Sequence, residues 1–74
     1  MLEDYAMKVI YDAEVDILRI IFTSVAVEAS DEDRPGVIID YDKDGQIVGM
    51  EILDASKRTE NPFAVEYAVL GKAA

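Results

Sequence analysis

Asp40, Asp42, Asp44, Gly45 and Glu51 fall at the spacing D-x-D-x-D-G-x-x-x-x-x-E, and Ile47 occupies the apolar place such a loop carries. This is the chemistry a hard divalent cation such as calcium needs: several carboxylate oxygens, and a glycine where the loop turns sharply. The flanks argue for something else. A calcium loop of this type lies between two helices, whereas here Pro35-Gly36 and a β-branched run precede it and a second β-rich run follows. On extended backbone Asp40 and Asp42 share a face, but Glu51 lies opposite Ile38 and does not close on an ion. We therefore read the segment as a β-hairpin with an acidic turn. Divalent-cation binding by Asp40, Asp42, Asp44 and Glu51 is the alternative.

Three weaker constellations exist. Asp12, Glu14 and Asp16 put carboxylates within one connection, where a solvated turn is the simpler reading. Ser56 beside Lys57 echoes a serine–lysine nucleophile, but adjacent residues point in different directions and no oxyanion site is legible. A small hydrolase is thus the least favoured function, and local capping by Asp54 and Ser56 the preferred role. Lys57-Arg58 is the only adjacent basic pair; in such sparse basic surroundings it reads as a surface turn.

Composition narrows the function further. The chain has no Cys and no His, which removes the usual zinc sites and the commonest general base. A net charge of −9, from 16 acidic and 7 basic residues, opposes nucleic acid and anionic membranes. The opening MLEDYAMK lacks the apolar stretch of a signal peptide, and no run reaches the roughly 20 apolar residues that span a bilayer. The cytoplasm is the expected location. With 51% hydrophobic residues the 74-residue chain should fold as a single domain, yet its core must be small.

The elements that would position these groups follow from period-two alternation. Residues 6–11 and 17–22 read as two strands of a hairpin that pairs Tyr11 with Leu18 and Val9 with Ile20. Residues 25–29 read as a short strand, followed by a polar connection over 30–36 that ends in the Pro-Gly turn signal. In the central hairpin, pairing Tyr41 with Val48, Ile39 with Met50 and Val37 with Ile52 keeps apolar residues on one face. That register leaves Asp44-Gly45 as a two-residue turn, with a type I turn and a bulge at Gly45 as the variant. Residues 61–70 are ambiguous: Asn61-Pro62 looks like a helix start, but Phe63, Val65, Tyr67 and Val69 alternate, and a strand is favoured. Ile10, Ile17, Ile21, Ile38 and Ile47 would lie on the face opposite the core, which implies that this second face is also covered.

The chain resembles the small proteins grouped as domain of unknown function 2283. The resemblance rests on Tyr11-Asp12-Ala13-Glu14-Val15-Asp16-Ile17-Leu18, on Pro35-Gly36-Val37-Ile38-Ile39-Asp40-Tyr41-Asp42, and on Asp44-Gly45 with Val48-Gly49-Met50-Glu51-Ile52-Leu53-Asp54-Ala55-Ser56. It covers about residues 6–58 and leaves 59–74 as a tail. It implies a mainly antiparallel β protein of bacterial type and, loosely, an antitoxin-like role beside a small toxin; it supplies no catalytic residues.

The expected fold is mainly β, or α+β with a short C-terminal helix: an antiparallel sheet of four to five strands built from hairpins. The expected function is non-enzymatic, without a cofactor. It is a self-associating or protein-binding β module, working as a homo-oligomer (a dimer) or with a small protein partner.

Overall fold

Short polar turns joining alternating β-branched runs fold back on themselves because each run has one face to bury and backbone amides to pair. The computed structural model describes residues 6–72 and contains β1 (Lys8–Asp12), β2 (Ile17–Ile21), β3 (Ala29–Arg34), β4 (Val37–Tyr41), β5 (Ile47–Leu53) and α1 (Ala55–Arg58). The fold is mainly β. All strand pairs are antiparallel, in one open sheet ordered β1-β2-β5-β4-β3. Among the described residues no helix is long and apolar enough to cross a membrane.

The first hairpin pairs Tyr11 with Leu18 and Val9 with Ile20, as expected. Asp12 accepts the Glu14 amide at 3.1 Å, and Asp16 takes a left-handed conformation to bring the chain into β2.

The central hairpin keeps Val37 against Ile52 and Ile39 against Met50, but corrects the turn. Tyr41 pairs with Ile47, not with Val48, and the register shifts between Asp40 and Tyr41. The cause is the side chain of Asp42. Its Oδ1 accepts the amides of Asp44 and Gln46, both at 2.9 Å, while the Gly45 amide donates to the Asp42 carbonyl at 3.1 Å. With Gly45 at φ 78° the loop closes over Lys43, Asp44 and Gly45, the type I turn with a glycine bulge. The extra loop residue is absorbed at Val48, and Ile47 moves to the row of Tyr41 instead of the opposite face.

Two other expectations are overturned. The third strand is not 25–29 but β3, which apart from Ala29 lies in the segment read as a polar connection. Asp31 pairs with Ile39 and Glu32 with Ile38, so backbone pairing, not burial, defines this strand; every one of its residues is exposed. A strand at the rim with both faces in water has no apolar alternation to betray it. Residues 22–28 instead form the crossover from β2 to β3, over about 14 Å at three strand spacings. It is pinned by the amides of Phe22 on the Val48 carbonyl (3.0 Å) and Glu28 on the Tyr41 carbonyl (2.7 Å).

The tail is neither strand nor helix: beyond a turn near Pro62 it runs without regular structure. Phe63 meets Tyr11 edge-on, ring centroids 5.1 Å apart, and Val65 and Tyr67 line a cleft with Met7, Val9, Leu18 and Ile20, although all three tail side chains stay largely exposed.

Little of this is buried. Among the described residues the buried apolar set is Val48, 4% exposed, and Ala55, fully enclosed; no large side chain is fully buried. Tyr67 and Leu70 are 79% and 91% exposed.

Candidate functional site

The acidic residues that fit a calcium loop are held apart. Asp40 is buried and accepts the Ser30 hydroxyl at 2.6 Å, a bond between β4 and β3. Asp42 is engaged by the two amides of its own turn, Asp44 is exposed at the tip, and Glu51 is paired across the ladder with Ile38 and Arg19. Among the described residues no group of three or more His, Cys, Asp or Glu is arranged to hold a metal ion.

A different polar cluster does form. Asp16 Oδ1 accepts the Tyr11 hydroxyl at 2.7 Å and the Ser56 amide at 2.9 Å; Oδ2 accepts the Ser56 hydroxyl at 2.7 Å; and the Ala55 amide donates to the Asp16 carbonyl at 3.0 Å. The Ser56 hydroxyl, the Tyr11 hydroxyl and the Ser56 amide hold the Asp16 carboxyl below the usual carboxylate range, and Lys57 adds in the same direction. The Tyr11 phenol is raised, first by its hydrogen bond to Asp16 and then by desolvation. These directions stabilise a carboxylate that accepts hydrogen bonds. Through these bonds the cluster fastens the first hairpin to α1.

This corrects the expected local capping. Asp54 precedes α1 in a left-handed conformation with no side-chain cap, and Ser56 reaches a residue 40 positions away. Arg58 completes the fastening: its Nε donates to the Leu53 carbonyl at 3.1 Å and its Nη2 to the Pro35 carbonyl at 2.6 Å. The single turn α1 thus joins the β1–β2 connection on one side to the β3–β4 turn on the other. The guanidinium sits against Gly36, which at φ 80° also supplies the positive φ of that turn. Sequence reasoning missed the Tyr11–Asp16–Ser56 cluster, because no local spacing links its ends.

The most prominent open surface is apolar. On the face of the sheet that carries Val9, Tyr11, Leu18 and Ile20, the tail leaves a cleft of about 830 Å³. It is lined by Ala6, Met7, Val9, Leu18, Ile20, Val65 and Tyr67, together with the acidic Glu66. Such a lining offers contact area and exclusion of water. On the other side of the sheet the crossover residues Val25 and Val27 form a smaller cleft of about 110 Å³ with Ile21, Asp40, Val48 and Gly49. The candidate functional site is therefore the apolar cleft and the rim of β1 that borders it.

Comparison with known proteins gives one match. The family described as "Protein of unknown function (DUF2283)" matches residues 8–56, which is more than half of the chain and includes all five strands, Tyr11, Asp16 and Ser56. No curated protein and no solved structure matches.

Proposed function

The chain belongs to the DUF2283 family, and from that starting point we propose that it is a non-enzymatic interaction module that associates with itself through apolar surface its own fold leaves open. One observation carries this reading: the sheet encloses no large side chain, while Met7, Val9 and Ile10 at one edge and Phe63, Val65 and Tyr67 in the tail are exposed. Apolar contact is the main favourable term in folding, at about 25 cal/mol per Å² removed from water, so a chain of this size gains most by completing its core against a second molecule. Contiguous apolar surface of this kind marks interaction sites.

Acidity supports the same reading. With a net charge of −9 the exposed surface repels nucleic acid and other copies alike, except where apolar residues interrupt it. Association is then confined to the uncharged regions.

Sedimentation equilibrium over a dilution series, with and without millimolar calcium, tests the proposal. A concentration-dependent dimer indifferent to calcium is the expected result. A monomer at every concentration would overturn self-association, and a mass that changes only with calcium would favour the carboxylates of Asp40, Asp42, Asp44 and Glu51 instead.

A further inference from the structure

On the reading that the chain self-associates, we infer that two copies join edge to edge through β1, antiparallel, about a two-fold axis that passes beside Ile10. β1 is an outer strand of the sheet, so one side of its backbone has no strand partner among the described residues. A two-fold axis perpendicular to the sheet sets residues of like parity opposite one another and keeps the faces of the two sheets aligned.

With the axis at Ile10, the five residues of β1 are complementary to themselves. Ile10 meets its own copy, Val9 meets Tyr11, and Lys8 meets Asp12 at both ends. The charged pairs are opposite in sign and share a face with Ile10; the Val9–Tyr11 pairs lie on the other. Opposite charges and aromatic–β-branched pairs are the combinations that stabilise facing strands. Among the described residues neither charge faces a counter-charge across the ladder: Lys8 faces Ile21 and Asp12 faces Ile17.

The other rim excludes itself. Antiparallel self-pairing of β3 centred on Asp31 or on Glu32 sets a carboxylate against its own copy. Like charges directly opposite are destabilising, so the acidic edge repels where the β1 edge attracts.

The apolar cleft points the same way. Met7 and Val9 line it at the β1 border. Because the faces stay aligned, the clefts of two copies meet across the axis and become one continuous apolar surface. A ladder of five residues is a short contact; the joined clefts supply the apolar area that a stable dimer requires beyond it.

A charge swap tests the register. Sedimentation equilibrium is run on the full chain, on Lys8→Glu, on Asp12→Lys and on the double variant. Each single substitution places like charges opposite at both ends of the paired strands and should weaken the dimer roughly tenfold, whereas the double variant restores complementarity and the wild-type dissociation constant. Both side chains are exposed, and thermal melts followed by circular dichroism identify a variant that fails to fold. Asp12→Lys also loses the Glu14 amide contact, so Lys8→Glu and the rescue by the double variant carry the decision. A wild-type dimer that neither single variant weakens would place the interface elsewhere while leaving self-association intact. A wild-type monomer would overturn both.

Discussion

β1 and β3 occupy equivalent places at the two rims of the sheet, each with one side of its backbone without a strand partner among the described residues, but they present opposite chemistry there. β1 carries Val9, Ile10 and Tyr11 between a single lysine and a single aspartate. β3 carries Asp31, Glu32 and Asp33 in succession, and its register with β4 shifts between Glu32 and Arg34. Charge and irregularity are the devices by which proteins keep a strand edge from recruiting another chain. One rim is protected and the other is left open. If copies pair at the open rim alone, assembly closes with two molecules instead of growing into a fibre.

The two rims are also held differently. Tyr11 in β1 is tied through Asp16 to Ser56, so the open edge rests on the α1 fastening. β3 is tied to its neighbour by Ser30 on Asp40, and its turn is closed by the Glu32 carboxylate on the Gly36 amide at 2.8 Å. On the protected edge Glu32 serves the turn, while Asp31 and Asp33 remain exposed charges whose repulsion a second such edge would meet.

The largest expected effect comes from removing that repulsion. Replacing Asp31 and Asp33 by threonine, while keeping Glu32 for the turn, leaves a β-favouring rim with less charge. Light scattering should then detect assemblies larger than a dimer. A double variant that keeps the wild-type mass would show that acidity is not what protects this rim.

A smaller effect, shared by both rims, follows from the seam between β2 and β5. A Cβ added at Gly49 would meet the Ile20 carbonyl oxygen at 2.9 Å and Asp40 Oδ2 at 3.4 Å. Backbone cannot yield as a flexible side chain can, so Gly49→Ala should destabilise the chain by about 1–3 kcal/mol in urea unfolding. An unchanged midpoint would mean that the two strands do not approach as closely as described.

The smallest effect concerns the fastening of the open rim and is read from pH. Asp16 has a lowered pKa in the folded state, so its contribution is present above the ordinary carboxylate value and is lost as pH falls below roughly 4 through the lowered one. Tyr11 is raised, so its contribution is present below the ordinary phenol value and is lost as pH rises through the raised one. Asp16→Asn should flatten the melting temperature in the acid limb and reduce its alkaline decline. Profiles that superimpose on wild type would remove Asp16 as the joint.

Much of the fold was legible because turns and alternation are local. Gly45, the Pro35-Gly36 turn and the Tyr11–Leu18 register all follow from sterics within a few residues. Legibility failed where the signal was not local. β3 has no buried face to impose alternation, and the tail alternates without pairing in any ladder. Of the candidate site little was legible: the isoleucines implied that the face opposite the core is covered, whereas the cleft lies on the face of Val9, Leu18 and Ile20 and requires knowing where the tail comes to rest.

The amino-acid sequence by itself determined that the protein is mainly β, that its first and central hairpins form, that it has no thiol or imidazole chemistry, and that it is strongly acidic. These depend on residue type and on contacts between near neighbours. Only the tertiary structure decided that β2 docks on β5, that Ser56 reaches Asp16, and that an apolar and an acidic strand become the two rims. Those outcomes depend on segments far apart in the chain, whose meeting is fixed by the packing of the whole sheet and by no single stretch of residues.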